Sequence, residues 1–84
     1  MDLPDRASSV ITREDLVGLL NALADDFARV RVAWKNGDLA SFLSAMAGFA
    51  DDLDGYYANR GEDASKMPPW RMLADMLMAG RVYE

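Results

Sequence analysis

Hydrophobic residues recur at steps of three and four along two long segments, which is the spacing of a helix that buries one face. The first segment predicts a helix over about residues 13–35, with the stripe Leu16, Leu19, Leu20, Leu23, Phe27, Val30 and Trp34. The second predicts a helix over about residues 38–57, with the stripe Leu39, Phe42, Leu43, Met46, Phe49, Ala50, Leu53 and Tyr57. Thr12 is a suitable N-cap for the first helix, and Asp15 occupies the acidic position of an imperfect capping box.

The connection between these two stripes predicts a helical hairpin. Gly37 suits a helix C-terminus because it adopts a positive φ without a Cβ clash. Asp38 can cap the next helix by accepting a hydrogen bond from a free backbone N–H. Such a short connection makes the two helices antiparallel neighbours, with Trp34 and Phe42 closing that end.

A third helix is predicted over about residues 69–82, after a loop rich in glycine, proline and polar residues. One apolar face comprises Trp70, Leu73, Ala74 and Leu77, and the other comprises Met72, Met76, Ala79 and Tyr83. A helix that is apolar on two sides is either central to the fold or covered by another molecule.

The domain organisation follows from these segments. Residues 1–11 show no periodicity and predict a flexible lead-in. Residues 12–84 predict a single all-α domain, in which the antiparallel hairpin and the shorter third helix form a three-helix bundle-like fold.

The composition excludes several classes of function. The 84 residues include no cysteine and no histidine, so disulfides, thiolate nucleophiles and histidine bases are absent. A formal net charge of −5 argues against binding to nucleic acid or to an anionic membrane surface. No apolar run approaches the roughly 20 residues that span a bilayer, and no signal-peptide pattern opens the chain. We therefore expect a cytoplasmic protein without a cofactor.

Paired aspartates on the two long helices are the candidates for metal chemistry. Acidic pairs on neighbouring helices can hold magnesium or manganese, so a metal-dependent hydrolase is one interpretation. The residues concerned are Asp25, Asp26, Asp51, Asp52 and Asp54. In the predicted hairpin, however, the two acidic groups are offset by about 10 Å along the helix axis, too far to share one ion. A solvated acidic face is the favoured interpretation.

Three of these aspartates lie close together near the end of the predicted second helix, where the dipole disfavours each anion by about 0.3–1 kcal/mol. Two interpretations remain open for this acidic cluster (Asp51, Asp52 and Asp54). It either pairs with cations of the following loop and helix or docks a basic partner. The candidate internal cations are Arg60, Lys66 and Arg71.

The second apolar face of the third helix is rich in methionine, which is common both at binding surfaces and in ordinary cores. We favour an interface with a protein partner or a second copy, since a homodimer would enlarge a small core. Intramolecular core is the alternative. The predicted partner-binding residues are Met72, Met76, Ala79, Tyr83, Asp51, Asp52 and Asp54.

A pattern of spaced single residues runs through about residues 12–84: Trp34-x-Asn36-x-x-Leu39-x-x-Phe42-Leu43, then Pro69-Trp70-x-x-Leu73-Ala74-x-x-Leu77 and the terminal Tyr83-Glu84. This pattern resembles that of a family of small, uncharacterised bacterial helical proteins. It supports the boundaries of the domain but implies no reaction. By analogy only, small acidic proteins of this build serve as antitoxin-like or immunity partners. We therefore expect a non-catalytic protein-interaction domain, with the metal-dependent hydrolase as the alternative.

Overall fold

The computed structural model describes residues 2–82, and no β-strand occurs among them. The helices are α1 (Leu3–Ser8), α2 (Arg13–Arg29), α3 (Leu39–Asp51), α4 (Leu53–Asn59) and α5 (Pro69–Val82). Short 3-10 turns occupy Arg31–Ala33 and Ala64–Lys66. The predicted all-α fold is confirmed, and α5 has the boundaries predicted for the third helix.

The start of α2 is fixed by two neighbouring polar side chains. The Thr12 hydroxyl accepts a hydrogen bond from the Asp15 N–H at 3.1 Å. The Asp15 carboxylate accepts bonds from the N–H groups of Ile11 at 3.0 Å and Thr12 at 3.1 Å. These backbone bonds hold the pKa of the Asp15 carboxyl below its ordinary value. Aspartate thus completes the capping box predicted from the sequence.

The first long helix is shorter than the predicted span of residues 13–35, because α2 ends at Arg29. The β-branched Val30 follows, a residue type that favours helix only weakly. Trp34 then has extended backbone, and its indole N–H donates to the Asp26 carboxylate at 2.7 Å. The Trp34–Asp26 hydrogen bond could not form if the helix continued to residue 35. It therefore favours the early end of α2.

The connection to α3 differs from the predicted turn at its glycine but not at its cap. Gly37 lacks the positive φ predicted for it; among residues 2–82 only Gly61 has one, at 74°. Asp38 caps α3 as predicted, because its carboxylate accepts the Ser41 N–H at 2.8 Å.

The second long helix, predicted over residues 38–57, is divided into α3 and α4 at Asp52. The Asp52 N–H closes α3 by donating to the carbonyls of Gly48 and Phe49 at 3.3 and 3.1 Å. Asp54 consequently lies in the first turn of α4, where the helix dipole favours an acidic residue. The break thus removes the conflict between Asp54 and the dipole that an unbroken helix implied.

Helix α5 is central to the fold. It packs against α1, α2 and α3, and every residue from 71 to 81 is buried or partly buried. Ala74 is fully buried in the main core cluster. Central placement accounts for the two apolar faces of this helix without a covering partner, which was one of the two explanations open from the sequence.

Because α5 lies between them, α2 and α3 do not form the predicted hairpin of direct neighbours. Each packs on α5 rather than along the other. The prediction of a hairpin is wrong because it assigned both apolar stripes to one mutual contact. In the structure each stripe divides between contact with α5 and an open space between α2 and α3.

Helix α1 is an element that the sequence pattern did not predict in residues 1–11. Asp2 caps it by accepting the Asp5 N–H at 3.0 Å. Ala7 and Val10 are buried in the core cluster, where α1 packs on α2 and α5. A helix this short shows no periodic stripe and depends on tertiary packing for its stability.

Close packing of α3 on α5 predicts opposite effects for two Gly→Ala substitutions. A Cβ at Gly80 would lie 2.8 Å from Met46 Cγ and 2.9 Å from Phe42 Cε1. Such overpacking costs about 1–3 kcal/mol, and the gain in helix propensity returns at most about 1 kcal/mol. We expect Gly80→Ala to lower the free energy of unfolding in urea by about 1–2 kcal/mol.

Gly55→Ala is the matched control, because a Cβ at Gly55 meets no neighbouring group within 4 Å. It should raise the free energy of unfolding by about 0.5–1 kcal/mol. A stabilised Gly80→Ala protein would contradict the close approach of α3 and α5.

Candidate functional site

An open apolar groove of about 550 Å³ lies between α2 and α3. Leu77 of α5 contributes to it, and the connection between α2 and α3 closes one end. The groove is lined by Leu20, Leu23, Ala24, Phe27, Arg31, Trp34, Asn36, Gly37, Asp38, Leu39, Phe42 and Leu77. Its volume and mainly apolar lining are typical of binding sites.

Three aromatic rings build the closed end of the groove. The Trp34 ring lies between the other two: it meets Phe27 edge-on, with centroids 5.0 Å apart, and stacks on Phe42 at 6.0 Å. These contacts connect α2 to α3 through the intervening segment. The groove therefore has a wall formed by packed side chains rather than by a mobile loop tip.

Large apolar side chains remain exposed along both sides of the groove. Leu20 on α2 is 43% exposed, and Leu39 and Leu43 on α3 are 71% and 55% exposed. Val17, one helical turn before Leu20, is also exposed. Clustered apolar exposure of this kind marks an interaction surface more often than scattered single residues do.

The closed end of the groove also carries charge. The Arg31 guanidinium lies 4.9 Å from the centroid of the Phe27 ring, and no carboxylate among residues 2–82 pairs with it. The nearby Asp38 carboxylate is engaged by the Ser41 N–H and hydroxyl, each at 2.8 Å. Those bonds hold the pKa of the Asp38 carboxyl below its ordinary value. Arg31 is thus a charge available to a bound group.

A polar network behind Trp34 fixes the groove end to α5. The Asp26 carboxylate accepts the Trp34 indole N–H and pairs with Arg81 Nη2 at 3.1 Å. The Asn36 side-chain amide donates to the Gly80 carbonyl at 3.1 Å. Because both contacts reach the last turn of α5, they hold the connection in place.

A second polar network, Tyr57–Asp75–Arg71, lies deeper in the protein. The Tyr57 hydroxyl, on a fully buried side chain, donates to Asp75 Oδ2 at 2.6 Å. Arg71 Nε pairs with the same oxygen at 3.2 Å and Arg71 Nη1 donates to the Ser8 carbonyl at 3.2 Å. Burial and the bond to Asp75 raise the pKa of the Tyr57 hydroxyl well above its ordinary value. This network joins α1, α4 and α5 and is structural.

The predicted partner-binding residues occupy two places. Met72, Met76 and Ala79 are partly buried on α5, and Tyr83 lies outside the described residues. The acidic cluster is exposed at the junction of α3 and α4. Because Gly80 lies close to Phe42 and Met46, the Ala79 end of this face lies towards the first half of α3, away from the acidic cluster. Binding through either set of residues stays a prediction.

The other aspartates considered for metal binding have arginine partners. Asp25 pairs with Arg29 at 3.1 Å, one turn further along α2, and Asp26 pairs with Arg81. Among residues 2–82, no three acidic side chains come close enough together to hold one metal ion. The described helices also include none whose length and apolarity would let it cross a membrane.

The fold and groove define a small all-α domain with an open apolar surface. The chain matches the model of a family of unknown function, DUF7660, over residues 12–84, and it belongs to that family. The family resemblance noted from the sequence is thereby confirmed as membership of a family without an assigned activity. No curated protein and no solved structure matches the chain.

Reasoning from the sequence missed the groove although it named most of its apolar residues. Leu20, Leu39 and Leu43 were assigned to the core of a hairpin because they share a stripe with buried residues. A place in an apolar stripe does not show whether a residue is buried in the core or lines an open groove. The available signal was the two-faced α5, since a helix placed between the two others keeps them apart.

Proposed function

We propose that this protein is a non-catalytic association domain and that the groove between α2 and α3 is its binding surface. The observation that carries the proposal is the pair of exposed apolar rows that border one groove. Leu20 and Leu39 line it from opposite sides, and Leu43 extends the α3 side by one turn. Covering these side chains removes apolar surface from water, which is the main source of association energy.

A helical segment is the occupant that the spacing favours. Val17, Leu20 and Ala24 are exposed at helical intervals on α2, and Leu39 and Leu43 repeat the interval on α3. Two such rows above a shared helix form three sides of a bundle, and an amphipathic helix supplies the fourth. A small ligand would cover the closed end but not the exposed turns beyond it.

The absence of catalysis is part of the proposal. The sequence provides no histidine or cysteine to act as a base or nucleophile. The groove offers one arginine and one aspartate, and the aspartate already accepts hydrogen bonds. A cytoplasmic site of action remains the prediction from the sequence.

Photo-crosslinking from Leu43 tests the proposal. A photoreactive amino acid replaces Leu43 in cells that make the protein, and the matched control carries it at Ser44. Ser44 is also exposed but is turned about 100° around the same helix. We expect adducts from position 43 and few from position 44, because only Leu43 belongs to the apolar row.

The substitution Leu39→Glu, added to the Leu43 crosslinking variant, should lower the yield of adducts at least about fivefold by placing a charge in the apolar contact. Leu39 is mostly exposed, so circular dichroism should show an unchanged helix content. Equal yields from positions 43 and 44, or no adduct from either, would contradict the groove as a binding surface.

A further inference from the structure

We infer that the helix bound in the groove is α3 of a second copy of this chain, paired antiparallel to α3 of the first. This inference rests on the proposed function and names the partner. It is carried by the juxtaposition of the apolar groove, the exposed apolar side of α3 formed by Leu39, Leu43 and Ala50, and opposite charges at the two ends of α3.

The chain carries both surfaces that this contact requires, the groove and an apolar helix face that can enter it. Leu39, Leu43 and Ala50 are exposed and share one side of α3, within about 40° around the helix axis at 100° per residue. This side borders the groove. In an isologous dimer, α3 of each copy enters the groove of the other, so a single association covers both apolar surfaces.

The charge at the two ends of α3 has opposite sign. Arg31 and Lys35 lie by its N-terminal end, where the Asp38 carboxylate is engaged in the helix cap. Asp51 and Asp54 are exposed at the other end, about 18 Å away along the helix axis. Neither aspartate forms an ion pair within residues 2–82.

Antiparallel pairing places the positively charged end of each α3 beside the negatively charged end of the other, so the favourable contact occurs twice. The two-fold axis crosses α3 near its middle, so Arg31 of each copy faces the Asp51–Asp54 end of the other. A parallel arrangement would instead place like charges side by side, which costs affinity. Each copy carries a net charge of −5, and this local complementarity offsets part of the repulsion between the two copies. The same arrangement gives Asp51 and Asp54, which form no ion pair within residues 2–82, a cationic partner.

Sedimentation equilibrium over roughly 1 μM to 1 mM tests the inference through a charge swap. Arg31→Glu and Asp54→Arg should each raise the dimer dissociation constant about tenfold, because every lost contact occurs twice. The double variant re-forms the pair with reversed sign and should return to within about threefold of the unchanged protein. Lys66→Glu is the control for net charge, since Lys66 is exposed in the 3-10 turn before α5; it should change the constant less than about threefold.

The outcomes separate this inference from the proposed function. Leu43 adducts with twice the 9.3 kDa mass of the chain, together with recovery in the double variant, support the dimer. If the chain stays monomeric at every concentration and Leu43 forms adducts with a different protein, the inference of a second copy is overturned. The groove then remains a binding surface. A dimer whose dissociation constant is unchanged by Arg31→Glu and Asp54→Arg overturns the antiparallel pairing. A chain that stays monomeric and gives no Leu43 adduct overturns both proposals.

Discussion

Replacing Asp75 with alanine is expected to lower the free energy of unfolding by about 3–5 kcal/mol, a large part of the roughly 5–15 kcal/mol that stabilises a small domain. Only 9% of Asp75 is exposed, and its carboxylate accepts hydrogen bonds from both Tyr57 and Arg71. Without it, the buried Tyr57 hydroxyl loses its acceptor and the largely buried Arg71 guanidinium loses its carboxylate partner. The loss should appear in urea unfolding followed by circular dichroism.

Tyr57→Phe is the milder change in the same network, because Asp75 keeps its pairing with Arg71. We expect a loss of about 1–2 kcal/mol. The raised pKa of Tyr57 also predicts a pH dependence. The folded protein keeps a proton that the unfolded chain releases above the ordinary pKa of 10.0, so this contribution is complete below pH 10 and declines above it.

Tyr57→Phe should therefore remove part of the alkaline decline in stability. An Asp75→Ala protein within about 1 kcal/mol of the unchanged chain would show that the buried network is not a main source of stability. An alkaline decline that persists undiminished in Tyr57→Phe would contradict the assignment of that decline to Tyr57.

The second large effect is expected at Trp34. Trp34→Ala should cost about 3 kcal/mol, because it removes the ring that packs between Phe27 and Phe42 and the indole donor to Asp26. The substitution should also lower crosslinking from Leu43, since Trp34 forms the closed end of the groove.

Trp70→Ala is the matched control for Trp34→Ala. Trp70 is 40% exposed at the start of α5 and does not line the groove. It should cost less than about 1.5 kcal/mol and leave crosslinking from Leu43 unchanged. Equal losses of stability for the two tryptophan variants would contradict the role assigned to Trp34.

Local signals in the sequence predicted local structure well. The capping residues Thr12, Asp15 and Asp38 each act within one helical turn. Their chemistry is complete in the short segment around them, so no knowledge of the rest of the fold is needed.

Predictions failed where a distant contact decided the local structure. Trp34 leaves helical geometry and bonds to Asp26, and Asn36 bonds to the end of α5, 44 residues further along the chain. No periodicity encodes either contact. The same limit explains α1, whose Ala7 is buried because α2 and α5 lie against it.

The candidate site was missed for a related reason. The sequence identified Leu39 and Leu43 as apolar helix residues, but their exposure depends on where α5 lies. With α5 placed between α2 and α3, Leu39 lines a groove and Leu43 is exposed one helical turn beyond it, so neither packs in a hairpin core. The methionine face of α5 correspondingly lies largely against the rest of the protein, so the groove is the stronger candidate for binding.

Comparing crosslinking from Leu43 with crosslinking from Met72 tests this central claim most directly. Leu43 is exposed one helical turn beyond Leu39, which lines the groove, whereas Met72 is partly buried on α5. With the same photoreactive group at each position, the groove predicts abundant adducts from Leu43 and few from Met72. Abundant adducts from Met72 with none from Leu43 would contradict the claim and place binding on α5.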